Sequence, residues 1–383
     1  MNMKGKVLVL LATAVMLASC KGLDKKESPN IEIEYTTTDG SAIDIQNVFN
    51  SLPAKCEITN TYEGGIGRIL IKTDGDSFIG SVDFSSAGAI LETVNFKSSV
   101  SVDFLSFYGC YNLAKLDVTK VNTSRVTNMS EMFCDCNLTS IDLSNFDTSN
   151  VTNMSGMFRA CAYLTSIDVS SFNTSRVTDM SFMFQNCESL KTLDLSNFDT
   201  SNVLDMSFMF DTCCELTNLD VSSFNTAKVV DMTRMFAFCE LLKNLDVANF
   251  NTSRVTDMFQ MFAGCSYLTS VNVSSFDTSN VTNMSEMFWH CESLKSLDLS
   301  SFNTESVNEL AGIEDHNELT GMFSSCSSLT ILDISHFNLS NITVYRYIFS
   351  GCNSLMSIIM TYCNSETIEK IKSVKPESAE IKI

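Results

Sequence analysis

Hydrophobic and polar positions repeat along this chain with a period of 26 residues. One unit, from Leu190 to Cys213, contains a Leu-x-x-Leu-Asp-Leu block, a Phe, a Thr-Ser-Asn-Val turn, a Met-x-x-Met-Phe block and a Cys. Near-identical units that cannot bury an apolar face alone must stack on one another. The pattern therefore predicts a solenoid.

Each unit carries two hydrophobic patterns, and these predict two elements. Alternation over residues 193–196 predicts a strand with its leucines inward and its Asp and Ser outward. The second pattern has the spacing i, i+3, i+4, i+7 and i+10, and it predicts a short helical turn or 3₁₀ segment at Met180, Met183, Phe184, Cys187 and Leu190. We therefore expect an α/β repeat protein, a right-handed solenoid with one parallel strand and one short helical turn in each coil.

A column of cysteines marks about ten coils between residues 104 and 360: Cys110, Cys136, Cys161, Cys187, Cys213, Cys239, Cys265, Cys291, Cys326 and Cys352. Residues 42–103 depart from the repeat and contain short apolar runs such as 68–72, which predict a small β-rich N-terminal cap. Residues 361–383 predict a C-terminal cap, and the polar stretch 20–41 predicts a flexible stalk.

Residues 1–19 have the features of a secretory signal peptide: Lys4, Lys6, an apolar run over 7–17 and small residues before Cys20. The run is too short to span a bilayer as a finished helix. The segment 17–20 resembles a bacterial lipobox, which implies that Cys20 is lipidated and anchors an exported protein to the cell envelope, with the outer membrane as the expected place. The net charge of −20 disfavours nucleic acid and bare anionic membranes as partners.

Met and Cys columns follow the spacing of the core, although together they could suggest a copper site. We interpret the Met side chains as adaptable core residues. The column cysteines stack with parallel side-chain directions, which is poor disulfide geometry, so we predict buried free thiols. We predict no metal and no cofactor.

The outward strand position holds a nearly uniform acidic column: Asp117, Asp142, Asp168, Asp194, Asp220, Asp246, Asn272, Asp298 and Asp333. We interpret this column as a solvated face, and calcium or a basic partner is the alternative. Asp194, Asp220 and Asp246 are its candidate binding residues. Repeated identical carboxylates and three isolated His provide no catalytic motif, so we predict a protein that is not an enzyme.

Departures from the repeat are the most specific candidates for binding. Where other coils carry polar residues in the predicted helical turn, some carry Phe182, Phe208, Phe238 and Trp289, which is followed by His290. We expect these aromatics on the outer surface, where they would bind a partner, unless they pack on the neighbouring coil. An insertion over 309–317 adds Glu314, Asp315 and His316, as a contact loop or as a neutral insertion.

The unit M-F-x-x-C-x-x-L-x-x-L-D-L-S-x-F-D/N-T-S-x-V-T-x-M, as it stands from Met183 to Met206, closely resembles the repeat of BspA-like leucine-rich repeat surface proteins of bacteria. The resemblance covers about two thirds of the chain. It implies an exported leucine-rich-repeat-like solenoid that adheres to host proteins, cells or other bacteria without enzymatic activity. Residues 32–102 depart from that pattern.

These observations favour a lipid-anchored, monomeric adhesin or interaction module that binds host or bacterial surface proteins through the flank of the solenoid. One alternative is a glycan-binding accessory lipoprotein for nutrient capture, in which Trp289 and the outer Phe residues would be stacking platforms. A passive surface coat protein is the other. The wide spread of the aromatics over the coils favours a protein ligand.

Overall fold

A computed structural model describes residues 30–49, 52–53, 56–73, 77–308, 310–313 and 319–383. These residues form a parallel β-solenoid of about 13 turns, which is leucine-rich-repeat-like as the repeat predicts. The turns beyond the predicted ten lie at the two ends, where the cysteine signature is missing but strands still pair in parallel. The predicted signal peptide, residues 1–19, and the predicted lipidation site, Cys20, lie outside the described residues.

The regular elements of the described residues are mostly short strands. The strands are β1 (Asn30–Thr37), β2 (Glu57–Glu63), β3 (Ile66–Lys72), β4 (Phe78–Asp83), β5 (Leu91–Phe96), β6 (Val100–Ser106), β7 (Lys115–Asp117), β8 (Val121–Asn122), β9 (Thr192–Leu193), β10 (Asn218–Leu219), β11 (Ser296–Asp298), β12 (Ala311–Ile313), β13 (Leu319–Gly321), β14 (Ile331–Asp333), β15 (Ser357–Ile359) and β16 (Glu380–Lys382). The helices are α1 (Ile45–Val48), a 3₁₀ turn (Ser85–Ala87) and α2 (Ser365–Val374). Within these residues, no helix has the length and apolarity needed to cross a bilayer.

The N-terminal unit joins the solenoid through one continuous sheet, in the order β2-β3-β1-β5-β7. Strands β2, β3, β1 and β5 pair antiparallel, and β5 then pairs in parallel with β7 of the repeat. Part of the predicted stalk, from Asn30 to Thr37, is strand β1 instead, and its Ile31, Ile33 and Tyr35 are buried at the middle of this sheet. The polar composition of residues 20–41 concealed an alternating strand pattern from Asn30 onward.

Each coil contacts the next through backbone ladders. On the strand side β9 pairs with β10, and β11, β14, β15 and β16 pair in succession. At the corner that follows the strand, a buried Thr links each coil to the next. The Thr200 hydroxyl donates to the Asn225 carbonyl at 3.1 Å and accepts from the Asn225 N–H at 2.7 Å. The same pair of bonds recurs from coil to coil, for example at Thr174 and Thr226.

The segment predicted as a short helical turn or 3₁₀ segment is a run of turns rather than a helix. In the segment that follows Met180, alternate N–H groups bond the next coil, as from Phe182 to the Ser207 carbonyl at 2.9 Å. The intervening bonds span three residues, and Phe182 and Asn186 have φ near +60°, at 60° and 57°. These two left-handed residues, four positions apart, interrupt a helix, so that alternate N–H groups bond the neighbouring coil while the apolar side chains keep the spacing of a helix.

The core consists of stacked columns. Ring centroids of successive core Phe residues lie 5.5–6.2 Å apart with nearly parallel planes, in the column Phe107, Phe133, Phe158, Phe184, Phe210, Phe236, Phe262, Phe288, Phe323 and Phe349. The Met and Cys columns are buried beside them, which confirms their core assignment. The cysteines are free thiols: Cys187 donates to the Phe158 carbonyl at 3.1 Å, and burial raises the pKa of Cys187 well above its usual range.

At the C-terminal end, helix α2 and strand β16 close the solenoid. Asn364 caps α2 by accepting from the Thr367 N–H at 2.8 Å, and the helix buries Thr367 and Ile371 against the last coils. The insertion forms an antiparallel hairpin from β12 and β13. Its predicted contact residues Glu314, Asp315 and His316 lie outside the described residues.

Candidate binding surface on the turn flank

We call the outer side of the segment with positive φ the turn flank. Two of its positions in each coil have positive φ and form columns along the solenoid. The first column contains Glu131, Gly156, Phe182, Phe208, Arg234, Gln260 and Glu286, and the second contains Asp135, Ala160, Asn186, Thr212, Phe238, Gly264 and His290. Between them runs a third column: Arg159, Gln185, Asp211, Ala237, Ala263 and Trp289. Because the backbone bonds the coils together here, the side chains are free to differ.

Phe182 and Phe208 form a stacked pair on adjacent coils. Their ring centroids lie 4.7 Å apart with an angle of 13° between the planes. Both side chains are half-buried, so one part of each ring packs on the coil and another part meets solvent. The pair therefore supplies preformed aromatic surface to a partner.

Arg234 is the centre of the turn flank, and sequence reasoning missed it. Its guanidinium lies 5.5 Å from the ring centroid of Phe208 and 5.2 Å from that of Phe238, in cation–π positions. Its Nη2 atom lies 3.0 Å from Oδ1 of Asp211, a side chain only 3% exposed. Its Nη1 atom donates to Gln260. The available signal was an Arg in an otherwise aromatic or polar column, one coil from a buried Asp.

Phe238, Trp289 and His290 form the second half of the surface. The rings of Phe238 and Trp289 meet edge to face at 6.0 Å, two coils apart. The intervening coil carries Gly264, where a Cβ atom would lie 2.6 Å from the Phe238 ring. His290 contacts Trp289 at 4.6 Å and places Nδ1 3.3 Å from the Glu292 carboxylate.

The predicted aromatics thus lie on one flank but not in one equivalent position. Phe182 and Phe208 share the first column, whereas Phe238 and Trp289 belong to the second and third. All four are half-buried and pack on side chains of other coils, which is the alternative that the sequence left open. The physical reason is the close spacing of coils, because a large ring in one coil always lies within reach of its neighbours.

The Asp column of the strand face lies on a different part of the coil perimeter. Each carboxylate accepts from the N–H two residues later, at 3.0 Å for Asp194, 2.9 Å for Asp220 and 3.0 Å for Asp246. Hydrogen bonds from the Ser two residues on lower the pKa of Asp194 and Asp220 below the usual Asp value. These exposed carboxylates stabilise their own turns, and the structure does not bring them together with the aromatics.

A second Asp column, half-buried, escaped sequence reasoning. It contains Asp179, Asp205, Asp231 and Asp257, on four consecutive coils joined by parallel bridges. Burial raises the pKa of Asp205 and Asp257, and the neighbouring carboxylates add to this effect. In the part of the chain that the structure describes, no group of His, Cys, Asp and Glu has an arrangement suited to a metal ion.

Comparisons with known proteins concern the repeats. A family model described as "Mycoplasma protein of unknown function, DUF285" matches residues 104–218, 188–271, 210–318 and 269–380. No curated protein matches. Among solved structures, the crystal structure of a TLR13–ssRNA13 complex is similar at 14% identity with a TM-score of 0.20, covering 79% of this chain and 53% of that one. The chain therefore spans about half the length of that TLR13 chain.

Proposed function

Because the chain belongs to the family described as Mycoplasma protein of unknown function, DUF285, and its repeats build a solenoid, we propose that it is a non-enzymatic adhesin anchored to the cell envelope. A repeat solenoid presents a long lateral surface of the kind used in protein interaction. The partner we propose is a protein on the surface of a host cell or of another bacterium.

The turn flank is the observation that carries this proposal. Large aromatic residues and Arg provide most of the binding energy in protein interfaces, especially where they are held rigidly. Arg234 contacts Phe208 and Phe238, and Trp289 packs on Phe238, so these side chains are held before a partner arrives. Their half-buried state limits the conformational entropy that binding would remove.

Binding of the chain from residue 20 onward to immobilised extracellular-matrix proteins and to intact bacterial cells tests the proposal. The informative variants are Trp289→Ala and Phe238→Asn, which introduce residues already present in the same columns at Ala263 and Asn186. We expect each variant to weaken binding at least tenfold. The control Tyr163→Ser removes an aromatic ring that is 56% exposed outside the turn flank, and it should bind normally. No binding to any surface, or equal loss in the control, would contradict the proposal.

The proposed anchor has its own test. A Cys20→Ala variant should move from the membrane fraction to the supernatant, because lipidation of that Cys is the proposed attachment. Continued sedimentation of the variant with membranes would refute lipid anchoring and would leave the binding surface unaffected.

A further inference from the structure

The turn flank contains a depression of about 260 Å³ at its N-terminal end. It is lined by Ser130, Glu131, Ser155, Gly156, Arg159, Ser181 and Phe182. The residues proposed above for protein binding, Phe238 and Trp289, do not line it. The depression is therefore a separate feature of the same flank.

A missing side chain creates this depression. Gly156 occupies the first column between Glu131 and Phe182, at a φ of 60°. The Phe182 ring stacks on Phe208 of the following coil, and Phe182 also lines the depression. Glu131 leans over the glycine, since its Cγ would lie 3.2 Å from a Cβ atom there. The column is thus a stack of side chains with one member absent.

The charged groups around the gap balance each other. Arg159 places Nη1 3.4 Å from Oε1 of Glu131, and the two side chains are 35% and 46% exposed. A cationic guest would meet Arg159 and an anionic guest would meet Glu131, so neither charge is favoured. A hydroxyl both donates and accepts, and it can bond the carboxylate and the guanidinium at once.

We propose that this depression binds a neutral pyranose sugar residue. The carbon–hydrogen face of the sugar ring would pack on the Phe182 ring by dispersion contact, and the sugar hydroxyls would bond Glu131 and Arg159. An aromatic wall with a few convergent polar groups is the usual composition of a small-ligand site. Elsewhere in the same column Arg234 covers Phe208, so that ring already has an internal partner.

Saturation-transfer NMR with methyl glycosides of glucose, galactose, mannose and N-acetylglucosamine tests the proposal on the chain from residue 20 onward. We expect saturation transfer to the ring C–H protons of at least one glycoside. Gly156→Gln should weaken that binding at least tenfold, because it fills the gap with a side chain that the same column carries at Gln260. The backbone permits this change, since neighbours in the column have side chains at φ between 52° and 60°.

A second variant keeps the test independent of the glycine. Arg159→Gln introduces the residue of the next coil, Gln185, and should also weaken binding at least tenfold. Arg176→Asn is the matched control, because it removes an equal charge outside the depression and leaves a residue found at Asn150 and Asn202. Its affinity should match the unmodified chain.

The proposal is overturned if no glycoside receives saturation, or if binding persists in both Gly156→Gln and Arg159→Gln. It is also overturned if N-acetyl-arginine amide or N-acetyl-phenylalanine amide receives saturation in the same experiment, Gly156→Gln abolishes that signal, and none of the glycosides displaces the amide. Loss of protein binding in Trp289→Ala is a separate result, so the two proposals can fail independently.

Discussion

The strand face and the turn flank use side chains in different ways. On the strand face, Asp194 and Asp220 each bond the backbone two residues later, so every coil satisfies itself. On the turn flank, partners come from other coils: Arg234 pairs with Asp211, 23 residues earlier. Because side chains of the strand face find their partners within their own coil, the same residue can recur in every coil. Because side chains of the turn flank find partners in other coils, their identities differ from coil to coil. The turn flank is therefore where this chain differs from a generic repeat.

The largest effects should come from the core that both faces share. Phe210→Ala removes a ring stacked between Phe184 and Phe236 beneath the turn flank, and it should cost about 3–5 kcal/mol of unfolding free energy. Leu195→Ala beneath the strand face should cost about 2–5 kcal/mol. Denaturant unfolding measures both, with Ser196→Ala on the outer face expected within about 0.5 kcal/mol of the unmodified chain. A much smaller effect at Phe210 would show that the turn flank is loosely packed.

The next largest effect should come from the Arg234–Asp211 pair, and it tests whether the two side chains stabilise the turn flank together or independently. Arg234→Gln leaves the Asp211 carboxylate buried without its cation and should cost about 2–3 kcal/mol. The double variant Asp211→Ala, Arg234→Gln should recover part of that loss, because neither charge then remains unpaired. Thermal and denaturant unfolding of Arg234→Gln, Asp211→Ala and the double variant complete a double-mutant cycle. Strictly additive costs would mean that the two residues act separately.

The corner threonines sharpen the comparison, since they are repeated and yet bond between coils. Thr200→Val removes the buried hydroxyl that bonds both the N–H and the carbonyl of Asn225, and it should cost about 1–3 kcal/mol. The matched change Thr217→Val affects an exposed hydroxyl on the strand face and should stay within about 0.5 kcal/mol. Equal costs in unfolding experiments would contradict the assigned role of the corner.

The smallest effect is a pH dependence of opposite sign in the two Asp columns. Burial raises the pKa of Asp205 in the folded chain, so its charge destabilises the fold at neutral pH. Asp205→Asn should therefore stabilise by about 0.2–1 kcal/mol at pH 7, and the gain should disappear as pH falls through the raised pKa towards the unfolded value.

Asp194 provides the control for that change. Hydrogen bonds from Ser196 lower the pKa of Asp194, so its charge stabilises the fold above the unfolded pKa, and this contribution is lost as pH falls through the lowered value. Asp194→Asn should not stabilise at pH 7. Melting temperatures of both variants between pH 3 and pH 7 measure the difference, and the same sign in both columns would contradict it.

Sequence alone determined the stacking, the period and the identity of the core. Strict repetition leaves one way to bury the columns of Leu, Phe, Met and Cys, so inward and outward positions followed from spacing. It did not determine the conformation of the turn segment, because a helix and a run of turns with two left-handed residues in each coil place apolar residues at the same intervals. It also assigned the residues of β1 to a flexible stalk, because their polar composition outweighed the short alternation of apolar and polar residues.

Only the tertiary structure decided which side chains of different coils meet. The contact of Arg234 with Asp211 depends on how far the Arg234 side chain reaches to the preceding coil, and that of Phe238 with Trp289 on how far both rings reach across the intervening coil. The gap at Gly156 likewise exists only because its neighbours in the column, Glu131 and Phe182, carry side chains. A repeat fixes the distance between coils, but contacts between unlike side chains depend on rotamers and packing that no single position encodes.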